Sequence, residues 1–332
     1  FKWDGIKTRA LYLTMFVFYR NNQGKLRFKI QPKLWILLGG MVVPDLGKIE
    51  DEATYQKTVK AFSKSLLWGP RATRILWIVW LVSTFGLVIF AEASLFLGLM
   101  MLSAIWMTLL SLLYMRTFKL HHNGIYGDMV AHQKILEDMP FQLVQIAQYQ
   151  GYSLETSEKT EAFFYQKAVD AFRSGQTSLF FPHLLDLYLD GVINHQFQPV
   201  EVIDASIKSM SFRAYASSDD HFYVLHQVIH YFYVTGDVER AYNLYQQSQR
   251  WLSSKVTPKL ALYLNKLTEH QIHWAYHEAF LKERENLPLG NAWIFSAWLD
   301  PYEDIEKALI SYPFQVYACQ IEDTQADAEI KI

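Results

Sequence analysis

The chain has 332 residues, 51% of them hydrophobic and 16% aromatic, with a formal net charge of -2. That length holds a membrane part and at least one further domain, and the charge balance provides no basic face for nucleic acid. A single cysteine, Cys319, excludes an internal disulfide framework and a cysteine-rich zinc module.

The chain starts at Phe1, and Phe1 to Arg9 is polar. No signal peptide is legible there, and further sequence upstream is expected. Leu11 to Tyr19 is rich in aromatic and β-branched residues. Asn21, Asn22, Gln23 and Gly24 follow as a turn cluster. Lys25 to Gln31 then alternates, with Leu26, Phe28 and Ile30 on one face and Lys25, Arg27 and Lys29 on the other. Period two around a glycine-bearing turn predicts a β-hairpin, either soluble with one wet face or lying against a membrane. Leu34 to Val43 is apolar but too short to span a bilayer. Broken by Gly39 and Gly40 and ended by Pro44, it fits a re-entrant or interfacial segment. Lys48 to Lys64 predicts a polar helix, and Trp68, Gly69 and Pro70 punctuate its end.

Two charge-free runs follow, Ile75 to Ala91 and Leu95 to Met115. At about 1.5 Å per helical residue each spans, or nearly spans, a hydrocarbon core of about 30 Å. Trp77 and Trp80 are expected near the interface. Lys60, Lys64, Arg71 and Arg74 precede the first run, and Arg116 and Lys119 follow the second. The turn between them holds one acid, Glu92, and no base. The positive-inside rule places both outer ends, and everything after Met115, in the cytoplasm.

The order of a basic hairpin, a Gly-Gly-x-Val-x-Pro segment (Gly39 to Pro44), a charged helix, Gly69-Pro70 and a span resembles the site-2 protease family of intramembrane zinc metallopeptidases. The resemblance covers roughly Leu11 to Ile135. It implies a membrane-associated hairpin, Zn²⁺ as cofactor and peptide cleavage at or in the membrane. The family follows its Gly-Pro closely with Asn, where this chain has Arg71, Ala72 and Thr73. The family's third zinc ligand is an aspartate followed by Gly. The resemblance carries that role to Asp128, although Met129 stands in place of the Gly.

From spacing alone, Asp128 and His132 are i and i+4 on a helix that starts at Asp128, itself a good N-cap. A carboxylate with imidazoles suits a zinc site with an open position, whereas a plain capped helix start needs no metal. The family's other two ligands lie in a His-Glu-x-x-His helix whose glutamate is the general base. The sequence contains no such motif, so no catalytic residue is assigned, and the missing helix is expected upstream of Phe1. At His277-Glu278, Leu281 replaces the second histidine. His270, His273 and His277 form a possible histidine face, read as packing or solvation.

From Pro140 onward helical periodicity dominates. Helices are predicted near 141–148, 156–173, 181–189, 199–210, 222–235, 238–251 and 258–285, an antiparallel array with short connections. Within Val224 to Leu252, the pattern Gly236-Asp237-x-x-x-Ala241-x-x-x-Tyr245 resembles a tetratricopeptide unit. Such arrays stack hairpins and present a concave surface to a peptide or protein partner. Leu287 to Phe314 is read as a cap on the array and Ile321 to Ile332 as a tail.

The expected chain is thus mainly α. Residues 1–70 form a membrane-associated β-hairpin and linker helix. Residues 71–135 form two transmembrane helices and the polar Asp128 turn. Residues 136–332 form a cytoplasmic, tetratricopeptide-like helical domain. The functional expectation is a membrane-embedded zinc metallopeptidase-like protein. The alternative is a non-enzymatic membrane anchor that displays a partner-binding helical domain. Expected partners are the lipid bilayer and a peptide or protein on the helical domain, with no nucleic acid.

Overall fold

The computed structural model describes residues 6–268, apart from 14, 22, 33–39, 91–94, 123–124, 176–179, 194, 259, 263 and 266–267. Most of the Leu34 to Val43 segment, Glu92, the 270/273/277 histidine face, the cap and tail and Cys319 lie outside the described residues.

Strands β1 (Lys7–Leu13), β2 (Phe16–Arg20), β3 (Leu26–Ile30) and β4 (Gly40–Asp45) form one sheet in the order β3-β2-β1-β4. The predicted hairpin is β2-β3, antiparallel, with Phe16 opposite Ile30, Phe18 opposite Phe28 and Arg20 opposite Leu26. Its turn closes because Asn21 Oδ1 accepts from the backbone N–H of Gln23 and Lys25, at 3.1 and 2.9 Å. Gly24 takes the left-handed φ of +74° that the turn requires. The single strand expected over Leu11 to Tyr19 is broken between Leu13 and Phe16, and β1 extends back to Lys7. The end of the apolar segment read as re-entrant is strand β4. Its Pro44 is tolerated because β4 is an edge.

Helix α1 (Glu52–Leu66) starts at Asp51, whose carboxylate accepts from Thr54 N at 2.8 Å and Thr54 Oγ1 at 3.0 Å. Its buried Tyr55, Val59 and Phe62 recur at helical spacing. The two charge-free runs are helices α2 (Trp68–Phe90) and α3 (Leu95–Thr117), both long and apolar enough to cross a membrane. They pack on each other through small and polar residues. Thr84, Ala104 and Ser111 are buried, while Val82, Ile89 and Leu95 face outward. Trp77 Nε1 donates to Thr108 Oγ1 at 3.1 Å, and Trp80 Nε1 donates to Ser103 Oγ at 3.2 Å. The indoles expected at the interface therefore carry hydrogen bonds between the two helices.

A two-residue ladder, β5 (His121–His122) with β6 (Ile125–Tyr126), leads into α4 (Asp128–Glu137) and α5 (Met139–Gln150). Asp138 caps α5 by accepting from Phe141 N at 3.0 Å. Helices α6 (Glu158–Arg173), α7 (Phe181–Ile193), α8 (Glu201–Ser209), α9 (Asp219–Val234) and α10 (Val238–Trp251) follow, with a 3₁₀ segment at Phe212–Ser217. They surround a core that includes Tyr188, Phe222, Leu225, Tyr231 and Phe232.

The α9–α10 hairpin falls where the Gly-Asp-x-x-x-Ala-x-x-x-Tyr pattern places it. α9 ends in a Schellman motif: Gly236 has φ +87°, Gly236 N donates to Tyr233 O at 3.1 Å, and Asp237 N donates to Phe232 O at 2.8 Å. Ala241 is fully buried and lets α10 approach α9 closely.

The chain divides into two compact units. One is Phe1–Ala10, Val42–Thr160 and Thr177–Phe180; the other is Leu11–Met41, Glu161–Gln176 and Phe181–Ile332.

Candidate functional site

Two places gather chemistry. The first is the turn after α3. Gly127 passes so close to the end of α3 that a Cβ there would lie 2.1 Å from Thr117 O and 2.6 Å from Phe118 O. Only glycine fits. The turn is stitched by Gly127 N to Leu120 O at 2.9 Å and Met129 N to Phe118 O at 3.0 Å. Between these bonds, Asp128 is fixed as the first residue of α4.

Gly127, not Asp128, is the N-cap, and no side chain caps this helix. The carboxylate is left for another role. A Cβ placed on Gly69 would sit 3.1 Å from Asp128 Oδ2 and 3.6 Å from Phe118 Cε1. Gly69 and Asp128, both in segments that carry the family resemblance, therefore pack together. Burial holds the Asp128 carboxyl above the usual carboxylate range. Its charge, together with burial as the larger cause, pushes the Tyr149 phenol up to about 12.

His132 shares the helix but has other partners. Its Nδ1 lies 2.8 Å from the Ser63 carbonyl, and the Ser63 hydroxyl donates to the His132 carbonyl at 2.9 Å. The imidazole thus ties α4 to α1. Among the described residues, no group of three metal-ligating side chains forms around Asp128. The described residues offer zinc one desolvated carboxylate here, which does not make a zinc site on its own.

The second place is in the helical unit, where Glu161, Asp190 and His195 converge. Each offers a ligand atom within 4.8 Å of the other two, a group able to hold a metal ion. His195 Nε2 lies 3.9 Å from Glu161 Oε2 and 3.7 Å from Asp190 Oδ2. Glu161 comes from the first turns of α6, Asp190 from the last turn of α7, and His195 from the loop beyond. That loop folds back on α7. Phe197 N donates to Gly191 O at 3.1 Å, and Gln196 takes φ +56°. A Cβ on Gly191 would lie 2.3 Å from Tyr165 Cδ2 and 3.2 Å from Phe197 Cδ2. The His195 ring stacks on Phe197 with centroids 5.7 Å apart. Burial raises the Glu161 carboxyl above its ordinary range, His195 opposes the shift, and Asp190 adds to it. One turn earlier on α7, burial and the Asp190 charge push Asp186 up to about 7.

The sequence reading missed this cluster, because Glu161, Asp190 and His195 match no spaced motif. It also passed over His226-Gln227-Val228-Ile229-His230, a His-x-x-x-His spacing inside α9. Both histidines are buried, and His226 Nδ1 lies 2.8 Å from Thr268 Oγ1. Burial lowers His226 to about 3 and lowers His230 as well, so both are neutral. Gln227 stands where a peptidase helix carries its glutamate and has no carboxylate to accept a proton.

Compared with family models, with curated proteins and with solved structures, the chain matches none.

Proposed function

We propose that this chain is a membrane-embedded, zinc metallopeptidase-like protein of the site-2 protease type. The observation that carries the reading is the packing of Gly69 against the desolvated Asp128 carboxylate. Two motif pieces far apart in sequence meet at the end of a helix pair able to cross a membrane. The hairpin supports it too. Leu26, Phe28 and Ile30 are exposed apolar residues, alternating with Arg27 and Lys29, which suits contact with lipid and its anionic headgroups. In this reading α2 and α3 span the bilayer, and the segment after α3 is cytoplasmic.

Zinc in such a family activates water for attack on a peptide bond. Here Asp128 offers one ligand, and the sequence contains no His-Glu-x-x-His pair. No hydrolytic step is therefore derived from these residues. The test is zinc content of the detergent-purified protein beside Asp128→Ala. Zinc that falls in the variant supports the reading. Zinc content indifferent to the substitution sinks it.

The α9–α10 pair favours a second reading, a membrane anchor whose tetratricopeptide-like array recruits a peptide or protein. Co-purification of one defined partner with the full chain, unaffected by Asp128→Ala, would select it. A full chain that binds no partner while losing zinc in Asp128→Ala would reject it.

A further inference from the structure

We infer that Glu161, Asp190 and His195 form a binding site for a first-row divalent cation of the zinc class, independent of the Asp128 turn. Two carboxylates and one imidazole are a donor set that such ions take, and all three side chains are partly exposed, leaving positions for water. In a tetrahedral zinc site with bonds of about 2.0–2.1 Å, neighbouring ligand atoms lie about 3.4 Å apart. The distances of 3.9 and 3.7 Å from His195 Nε2 to the two carboxylate oxygens exceed that by about half an ångström or less. Adjustment of the partly exposed Glu161 and Asp190 side chains would close the gap when an ion binds.

The surroundings add a second observation. Asp186 lies one helical turn before Asp190, and its buried Oδ1 has no hydrogen-bond partner among the described residues. The loop that delivers His195 is also held firmly, by Gly191 beneath Tyr165 and by the Phe197 stack. The imidazole is thus positioned before any ion arrives.

The probe is Zn²⁺, titrated calorimetrically into the full chain in detergent at neutral pH, after chelator treatment. The expected result is a binding event weakened about tenfold or more in both His195→Gln and Asp190→Asn, and persisting in Asp128→Asn. Far-UV circular dichroism establishes that each variant is folded. Glu161→Gln replaces any variant that is not. Absence of binding by the folded wild type overturns the inference. So does binding that survives both cluster substitutions, or that disappears only in Asp128→Asn.

Discussion

The α2–α3 helix pair and the α6–α10 array are both rich in apolar residues but distribute them in opposite directions. In the array, Phe222, Leu225, Ile229 and Phe232 are fully buried. In the helix pair, Val82 is 66%, Ile89 73% and Leu95 84% exposed, while Thr84 and Ser111 are hidden. An array of the first kind is held by removing apolar surface from water. A pair of the second kind gains nothing that way in water and depends on close packing and internal hydrogen bonds. The contrast teaches that apolar residues hold a fold together only where packing covers them, as it does in the array and does not in the outward faces of α2 and α3.

The largest expected effect tests how far the helix-pair unit depends on close backbone approach. Gly127→Ala brings a Cβ against two carbonyl oxygens and should cost about 3 kcal/mol or more. Thermal unfolding in detergent should show it, and an unchanged midpoint would mean the turn is not closed as described.

Next, the array should be acid-labile in a way that the helix pair is not. A buried neutral histidine binds its proton more readily unfolded than folded. Stability is therefore complete above the unfolded pKa near 6.5 and falls as pH drops toward the folded value of about 3. By pH 4.5, His226 alone should remove about 2 to 3 kcal/mol. A His226→Gln variant whose stability falls as steeply as the wild type between pH 6.5 and 4.5 would refute this assignment.

Asp186 has the reverse sign. The folded protein keeps its proton to about pH 7, so stability falls as pH rises from about 4 to 7. Because the residue is only partly buried as a whole, the gain from Asp186→Asn at pH 8 in chelator is discounted to about 1 to 2 kcal/mol. Denaturant melts at pH 5 and pH 8 measure it, and equal gains at both would contradict the shift.

The smallest effect lies inside the helix pair. Removing one interhelical hydrogen bond with Ser103→Ala should cost about 0.6 kcal/mol. A loss several times larger would bring this pair closer to the array in character.

Much of this architecture was legible. The two long apolar helices show as length without charge, and the α9–α10 boundary shows because Gly236 is a Schellman residue followed at once by a helix start. The hairpin shows through alternation around Asn21 and Gly24. The break between β1 and β2 was hidden because apolar residues continue across it. Strand β4 was hidden because its short run carries glycine and proline, and edge pairing is set by the rest of the sheet. The helix start at Asp128 was legible through its glycine neighbours, although the cap is Gly127. Glu161, Asp190 and His195 were not legible. Their convergence depends on a loop reversing over Gly191 with Gln196 left-handed, and neither residue signals a reversal as strongly as a proline would.

The hairpin's outer strand carries one more consequence. In the sheet order β3-β2-β1-β4, β3 is a terminal strand with an apolar face, and no strand pairs with its outer edge among the described residues. Such an edge is a template on which a second chain can add by strand pairing. Arg27 and Lys29 lie on it, with Lys25 just before, a basic guard of the kind that blocks such growth. Replacing these residues by Thr should leave the hairpin foldable yet turn the protein toward fibrillar self-association, which light scattering during purification would detect.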